Sequence, residues 1–132
     1  MKRNGLWGLV LLILSLYSFA AIALTNSKPV ATPQAISLVE DSSKEIVLTG
    51  TDIEDGSAVT ALLGTTSALN GTLVAVAGKS NTYLYTPKAN FSGNASFTFT
   101  VKDSANLVST AVTVSIVVQA VADSPVAQAQ AV

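Results

Sequence analysis

The sequence predicts an all-β fold, a sandwich of seven short strands, and three observations carry that expectation. From Gln34 onward, short stretches of alternating apolar and polar residues are interrupted by turn residues at regular intervals. Thr, Ser, Ala and Val dominate while only 11% of residues are charged, a composition suited to pleated strands with small hydroxyl side chains on the wet face. No segment after Gln34 holds the 3.6-residue apolar period of a helix.

The elements follow in order. Ala35 to Val39 makes the first strand, and Glu40-Asp41-Ser42-Ser43 turns the chain. Glu45 to Thr51 is the second, with Ile46 and Leu48 on one face and Val47 and Thr49 on the other. After an acidic loop from Asp52 to Ser57, Ala58 to Leu63 is the third. Thr72 to Ala77 and Thr82 to Thr86 form a hairpin, because Gly78-Lys79-Ser80-Asn81 offers residues that tolerate positive φ. Pro87 ends that strand, and Asn90-Phe91-Ser92-Gly93 leads into the clearest one, "ASFTFTVKD". There Phe97, Phe99 and Val101 point one way and Ser96, Thr98, Thr100 and Lys102 the other; a one-residue slip would put both phenylalanines into water. Ser104-Ala105-Asn106 turns into a last strand, Val108 to Gln119, whose Val112, Val114, Ile116 and Val118 face inward. Each strand has one apolar side, so two packed sheets are required to bury the set. The same alternation assigns Phe97 and Phe99 to the core, and Tyr85, two residues before Pro87, is expected to bury its ring and bond its hydroxyl near a strand turn.

Residues 1–23 read as a targeting segment. Lys2 and Arg3 precede an apolar run from Leu6 to Phe19, and Ala21-Ile22-Ala23 is a small-x-small cleavage site, the pattern of a secretory signal peptide. An uncleaved anchor is the alternative, since Leu6 to Leu24 is just long enough to span a bilayer. Either way the remainder is delivered outside, secreted or held at the cell surface. Residues 24–33 then form a linker, 34–121 the sandwich, and 122–132 a second linker.

Beyond the leader, five lysines stand against eight acidic residues, a net charge of about −3 with no basic stripe. Nucleic acid is therefore not an expected partner, and a membrane is one only through an uncleaved N-terminal segment. The chain has no cysteine and no histidine, which excludes disulfides, the usual nucleophilic triads and imidazole or thiolate metal sites. No enzymatic activity is expected.

The end of the chain repeats its beginning. "KPVATPQAI" from Lys28 and "SPVAQAQAV" from Ser124 share Pro-Val-Ala, then Gln and Ala, at a constant offset of 96 residues. That offset is about one small domain, and the tail 122–132 reads as the truncated start of a next copy. Because it imitates the first-strand region, weak head-to-tail self-association by strand exchange is a further expectation.

Five stretches in order, "KPVATPQ", "LVEDSSKEIVLTGTDIEDGS", "GTLVAV", "YLYTPKANFSGNASFTFTVKDSA" and "ADSPVA", resemble the cadherin-like and immunoglobulin-like tandem repeats of large bacterial surface and secreted proteins. The resemblance covers Asn26 to Asp123. It implies a Greek-key sandwich acting as an adhesion or spacer module, with neighbouring repeats or a surface protein or glycan as partners. A carbohydrate-binding accessory domain of a secreted protein is the alternative reading, which exposed aromatics on one sheet face would favour.

Calcium is the cofactor the resemblance implies. The acids cluster in loops, and hard cations take several oxygen ligands. With strands running alternately up and down, Asp52, Glu54, Asp55 and Asp103 fall at the pole where the chain enters, and Glu40, Asp41 and Asp123 at the opposite pole. Neither set is complete alone; head-to-tail repeats would bring them together, as at calcium-stiffened cadherin junctions. The competing reading makes these acids turn formers that bond their own backbone. Two departures from the repeat pattern bear on the choice: Gly93-Asn94-Ala95-Ser96-Phe97 lacks an acid often found there, and Ala122-Asp123-Ser124-Pro125 lacks an amide.

Overall fold

A computed structural model of the chain describes residues 24–122. Among them nine strands form and no helix: β1 Val30–Ala31, β2 Gln34–Val39, β3 Lys44–Val47, β4 Gly50–Thr51, β5 Thr60–Leu63, β6 Gly71–Ala75, β7 Thr82–Pro87, β8 Gly93–Lys102 and β9 Val112–Gln119. One sheet has the order β2-β9-β8-β5 and the other β3-β7-β6, with β1 and β4 paired as a short third ladder. The leader at 1–23 and the tail at 123–132 lie outside the described residues.

The alternation builds the core as expected. On β8, Ala95, Phe97, Phe99 and Val101 are buried; on β9, Val114, Ile116 and Val118 are buried, and Val112 packs against them half-buried. From the facing sheet come Ile46, Leu48 and Tyr85, so that the largest side chains in the centre are each under 2% exposed. Burial of such a side chain contributes about 1.5–3 kcal/mol. The Tyr85 hydroxyl donates to the Leu69 carbonyl across 2.8 Å, the anchoring its position before Pro87 predicted. Gly78 and Asn81 take positive φ in the β6–β7 hairpin, at 77° and 53°.

Three local differences from the sequence reading have physical causes. The expected strand Glu45 to Thr51 is continuous in alternation but divided in pairing: β3 lies against β7, and β4 against β1. The change of partner happens at Gly50, where a Cβ would lie 2.7 Å from the Val30 carbonyl oxygen and 2.8 Å from Val101 Cγ2. Only a residue without a side chain lets β1 approach so closely. Consequently the segment 24–33, expected as a linker, contributes β1, places Ala31 in the core at 3% exposure, and donates from Thr32 N to Thr49 O at 2.9 Å. Finally, the last strand starts at Val112 rather than Val108, because Ser109 occupies the ladder with its side chain: its Oγ accepts from Val101 N and donates to Thr110 O, both at 2.9 Å.

The pairing of β2 with β9 positions everything that follows. It is parallel, from Gln34 opposite Val114 to Val39 opposite Gln119, so the first long strand and the last run in the same direction. The chain therefore enters at one pole and leaves at the other, separated by the length of β9, about 26 Å at strand rise.

Candidate functional site

The entry pole is assembled from two loops and the incoming chain. Between β4 and β5, Asp52 and Gly56 exchange backbone bonds, Asp52 N to Gly56 O at 2.7 Å and Gly56 N to Asp52 O at 2.9 Å, with Gly56 at φ 63° closing the turn. Inside that turn the Asp52 Oδ1 accepts from Glu54 N at 2.9 Å and Asp55 N at 2.8 Å. After β8, Asp103 caps the next loop in the same way, its Oδ1 accepting from Leu107 N at 2.8 Å. Both carboxylates are buried, Asp52 at 8% exposure and Asp103 at 4%.

The two loops are joined to each other and to the entering chain by carboxylates. Asp55 Oδ2 accepts from Ser104 N at 2.7 Å; that bond, and a second from the Ser104 hydroxyl, hold the Asp55 carboxyl below the usual range. Asn26 Nδ2 donates to Asp103 Oδ2 at 2.6 Å, and Ser27 donates from its N and Oγ to the two oxygens of Glu54, each at 3.2 Å. Asp52, Glu54, Asp55 and Asp103 thus share one pole, each occupied by hydrogen-bond donors. The exception is Asp52 Oδ2, which is buried and without a partner among the described residues. Among those residues no three acidic side chains converge into a ligand set by themselves.

At the exit pole, Glu40 Oε1 accepts from Val121 N at 2.8 Å and Asp41 Oδ1 from Asn90 N at 3.1 Å, with Asp41 at φ 59°. Asp123 lies outside the described residues. Asn26, Ser27 and Ser104 were not singled out in the sequence: no local spacing marks Asn26, whose partner is 77 residues away, and only the folded chain brings them to the acids.

Between the poles the surface offers little for chemistry. A shallow groove of about 360 Å³ on the outer side of the β8–β9 pair is lined by Ala68, Asn94, Ser96, Ser115 and Val117, and no titratable group borders it. Tyr85, Phe97 and Phe99 are buried, and Tyr83 and Phe91 pack half-buried against the core.

Two facing sheets of this order, with the first long strand parallel to the last, define an immunoglobulin-like β-sandwich. A sequence profile described as "Bacterial Ig domain" matches residues 26–117, and the chain belongs to that family. Among solved structures it is similar to titin domain M7, with 22% identity over 75% of this chain and 99% of that one and a TM-score of 0.40. It is also similar to part of an endo-fucoidan hydrolase from glycoside hydrolase family 107, with 22% identity over 77% of this chain and 15% of that one and a TM-score of 0.44. Comparison with curated proteins finds no match.

Proposed function

We propose that this bacterial Ig domain serves as a non-enzymatic spacer or adhesion unit of an exported protein at the bacterial cell surface. The observation that carries the reading is the parallel pairing of β2 with β9. It separates entry from exit by the full length of the sandwich, so repeats joined end to end extend rather than fold back. It also means that tension applied through the two chain ends loads the β2–β9 bonds in shear, where the six paired positions resist together. The 96-residue offset between the opening and closing segments supports an array of such units.

Calcium stiffening of the junctions belongs to the same proposal. Asp52 Oδ2 supports it: a buried carboxylate oxygen without a donor costs desolvation energy that a cation would offset. Asp52, Glu54, Asp55 and Asp103 would hold the ion from one side, with Glu40, Asp41 and Asp123 of a preceding repeat, or solvent, completing the shell. The glycan-binding alternative draws less support: Tyr85, Phe97 and Phe99 are buried, and only Tyr83 and Phe91 keep part of their rings exposed.

Single-molecule pulling tests the mechanical reading. Attachment at the two chain ends is expected to require severalfold higher unfolding force than attachment at Gln34 and Val112, which lie at one pole and unzip the same strand pair. Equal forces would remove the load-bearing role. Thermal melting of the full chain in excess chelator and in calcium tests the ion: with Kd near 0.1 mM and 1 mM calcium the gain is about 1.4 kcal/mol. Coincident curves would exclude calcium and leave the spacer reading standing.

A further inference from the structure

Among the described residues the two main sheets have four edge strands, β2, β5, β3 and β6, and a side chain caps three of them. On the β2 edge, Lys44 Nζ donates to Ser37 O at 2.9 Å; on the β3 edge, Gln34 Nε2 donates to Val47 O at 2.7 Å. These two bonds cross between the sheets and close one side of the sandwich. On the β5 edge, the Asn81 side chain stands in for a neighbouring strand, its Oδ1 accepting from Ala61 N and its Nδ2 donating to Val59 O, both at 2.8 Å. Capped and charged edges are how a sheet avoids further pairing.

β6 is different. Val76 N donates to Thr82 O at 2.9 Å, which fixes the alternation of the β6–β7 ladder: the backbone groups of Thr72 and Val74 turn toward β7, and those of Leu73 and Ala75 turn to the open edge. Among the described residues no side chain or backbone group bonds them. No residue from Gly56 to Gly78 carries a charge, and no proline interrupts that stretch. Val74 is 60% exposed, and its ladder partner Leu84 is exposed beside it on the same outer face.

We propose that the β6 edge is a self-association surface on which a second copy of this chain pairs its own β6 in antiparallel fashion, extending the three-stranded sheet across a two-fold axis. The occupant follows from charge. The strand and its flanks from Gly56 to Gly78 carry no charge, and Lys79 in the adjoining turn is paired with Glu45 at 2.7 Å, so a charged peptide finds no counter-charge along β6. Another β6 offers a neutral edge with the same free N–H and C=O groups at alternate positions, which is what an isologous contact requires. This contact joins molecules side by side and is independent of head-to-tail junctions and of calcium.

Amide hydrogen exchange on the full chain at about 20 µM and about 1 mM, bracketing the weak affinities of transient contacts, reads the contact locally. The Leu73 and Ala75 amides are expected to exchange freely at the lower concentration and to become at least about fivefold slower at the higher, while core amides do not change. Ala75→Pro removes only an outward-facing N–H and keeps the β7 ladder, so it should abolish the concentration-dependent protection of Leu73. Val74→Lys should do the same by placing like charges across the two-fold axis, and it decides the matter if the proline variant does not fold. Unchanged exchange at both concentrations overturns the proposal. So does protection that is complete at the lower concentration, which would put another segment of the same chain on the edge, or protection that survives Val74→Lys.

Discussion

The Tyr85 hydroxyl and the Leu69 carbonyl meet at 2.8 Å across 16 residues of chain, inside the core. The bond ties the segment between β5 and β6 to the centre of β7. Burial pushes the phenol pKa up, so the hydroxyl stays a donor well into the alkaline range. Tyr85→Phe keeps the ring but leaves a buried carbonyl without its donor. It is expected to destabilise the fold by about 1–3 kcal/mol, read as a lower denaturation midpoint in urea with an unchanged slope.

Asn81 does two things at once: it holds positive φ in the hairpin turn and supplies both bonds that cap β5. Asn81→Ala loses both and is expected to cost about 2–4 kcal/mol, whereas Asn81→Gly relieves the backbone and should recover about 1 kcal/mol of that loss. Equal destabilisation by the two substitutions would show that turn geometry contributes nothing at this position.

Gly50 is where the chain changes sheets. In Gly50→Ala, the new methyl meets the Val30 carbonyl and the buried Val101 side chain, and neither is the free end of a flexible group. The expected loss is about 1–3 kcal/mol. It should come with faster amide exchange at Thr32, whose N–H bonds Thr49 O beside the β1–β4 pair.

The Ser104 backbone N–H, followed by its hydroxyl, lowers the Asp55 carboxyl pKa. A group depressed on folding contributes stability that is present above its unfolded pKa of about 3.9 and is lost as pH falls through the folded value. Urea midpoints measured between about pH 2 and pH 5 should therefore show an acid-limb decline that is shallower in Asp55→Asn. Identical acid limbs in the two proteins would mean that the contact to Ser104 carries no stability.

Strand existence was legible because a strand's side-chain period is local. Phe97, Phe99 and Val101, or Ile46 and Leu48, announce their common face within a few residues, and each lies in the core. The poles were legible for a related reason. Once strands alternate up and down, the loop carrying Asp52, Glu54 and Asp55 and the loop carrying Asp103 fall at one end, where Asp55 bonds Ser104. What occupies those carboxylates was not legible. Asn26 and Ser27 reach Asp103 and Glu54 across 77 and 27 residues, and no spacing rule connects them.

The sequence by itself determined the all-β class, the strand positions to within a few residues, the inward faces and the grouping of acids into loops. Each follows from period-two alternation and from turn residues, interactions that a short segment carries within itself. Only the tertiary structure decided that the alternating run from Glu45 to Thr51 serves two different strands, that β2 lies parallel to β9, and that Lys44, Gln34 and Asn81 cap three edges while β6 stays open. Those are choices between partners of similar local character. They are settled by close approaches such as Val30 over Gly50 and by single side-chain bonds, which come into being only when distant parts of the chain meet.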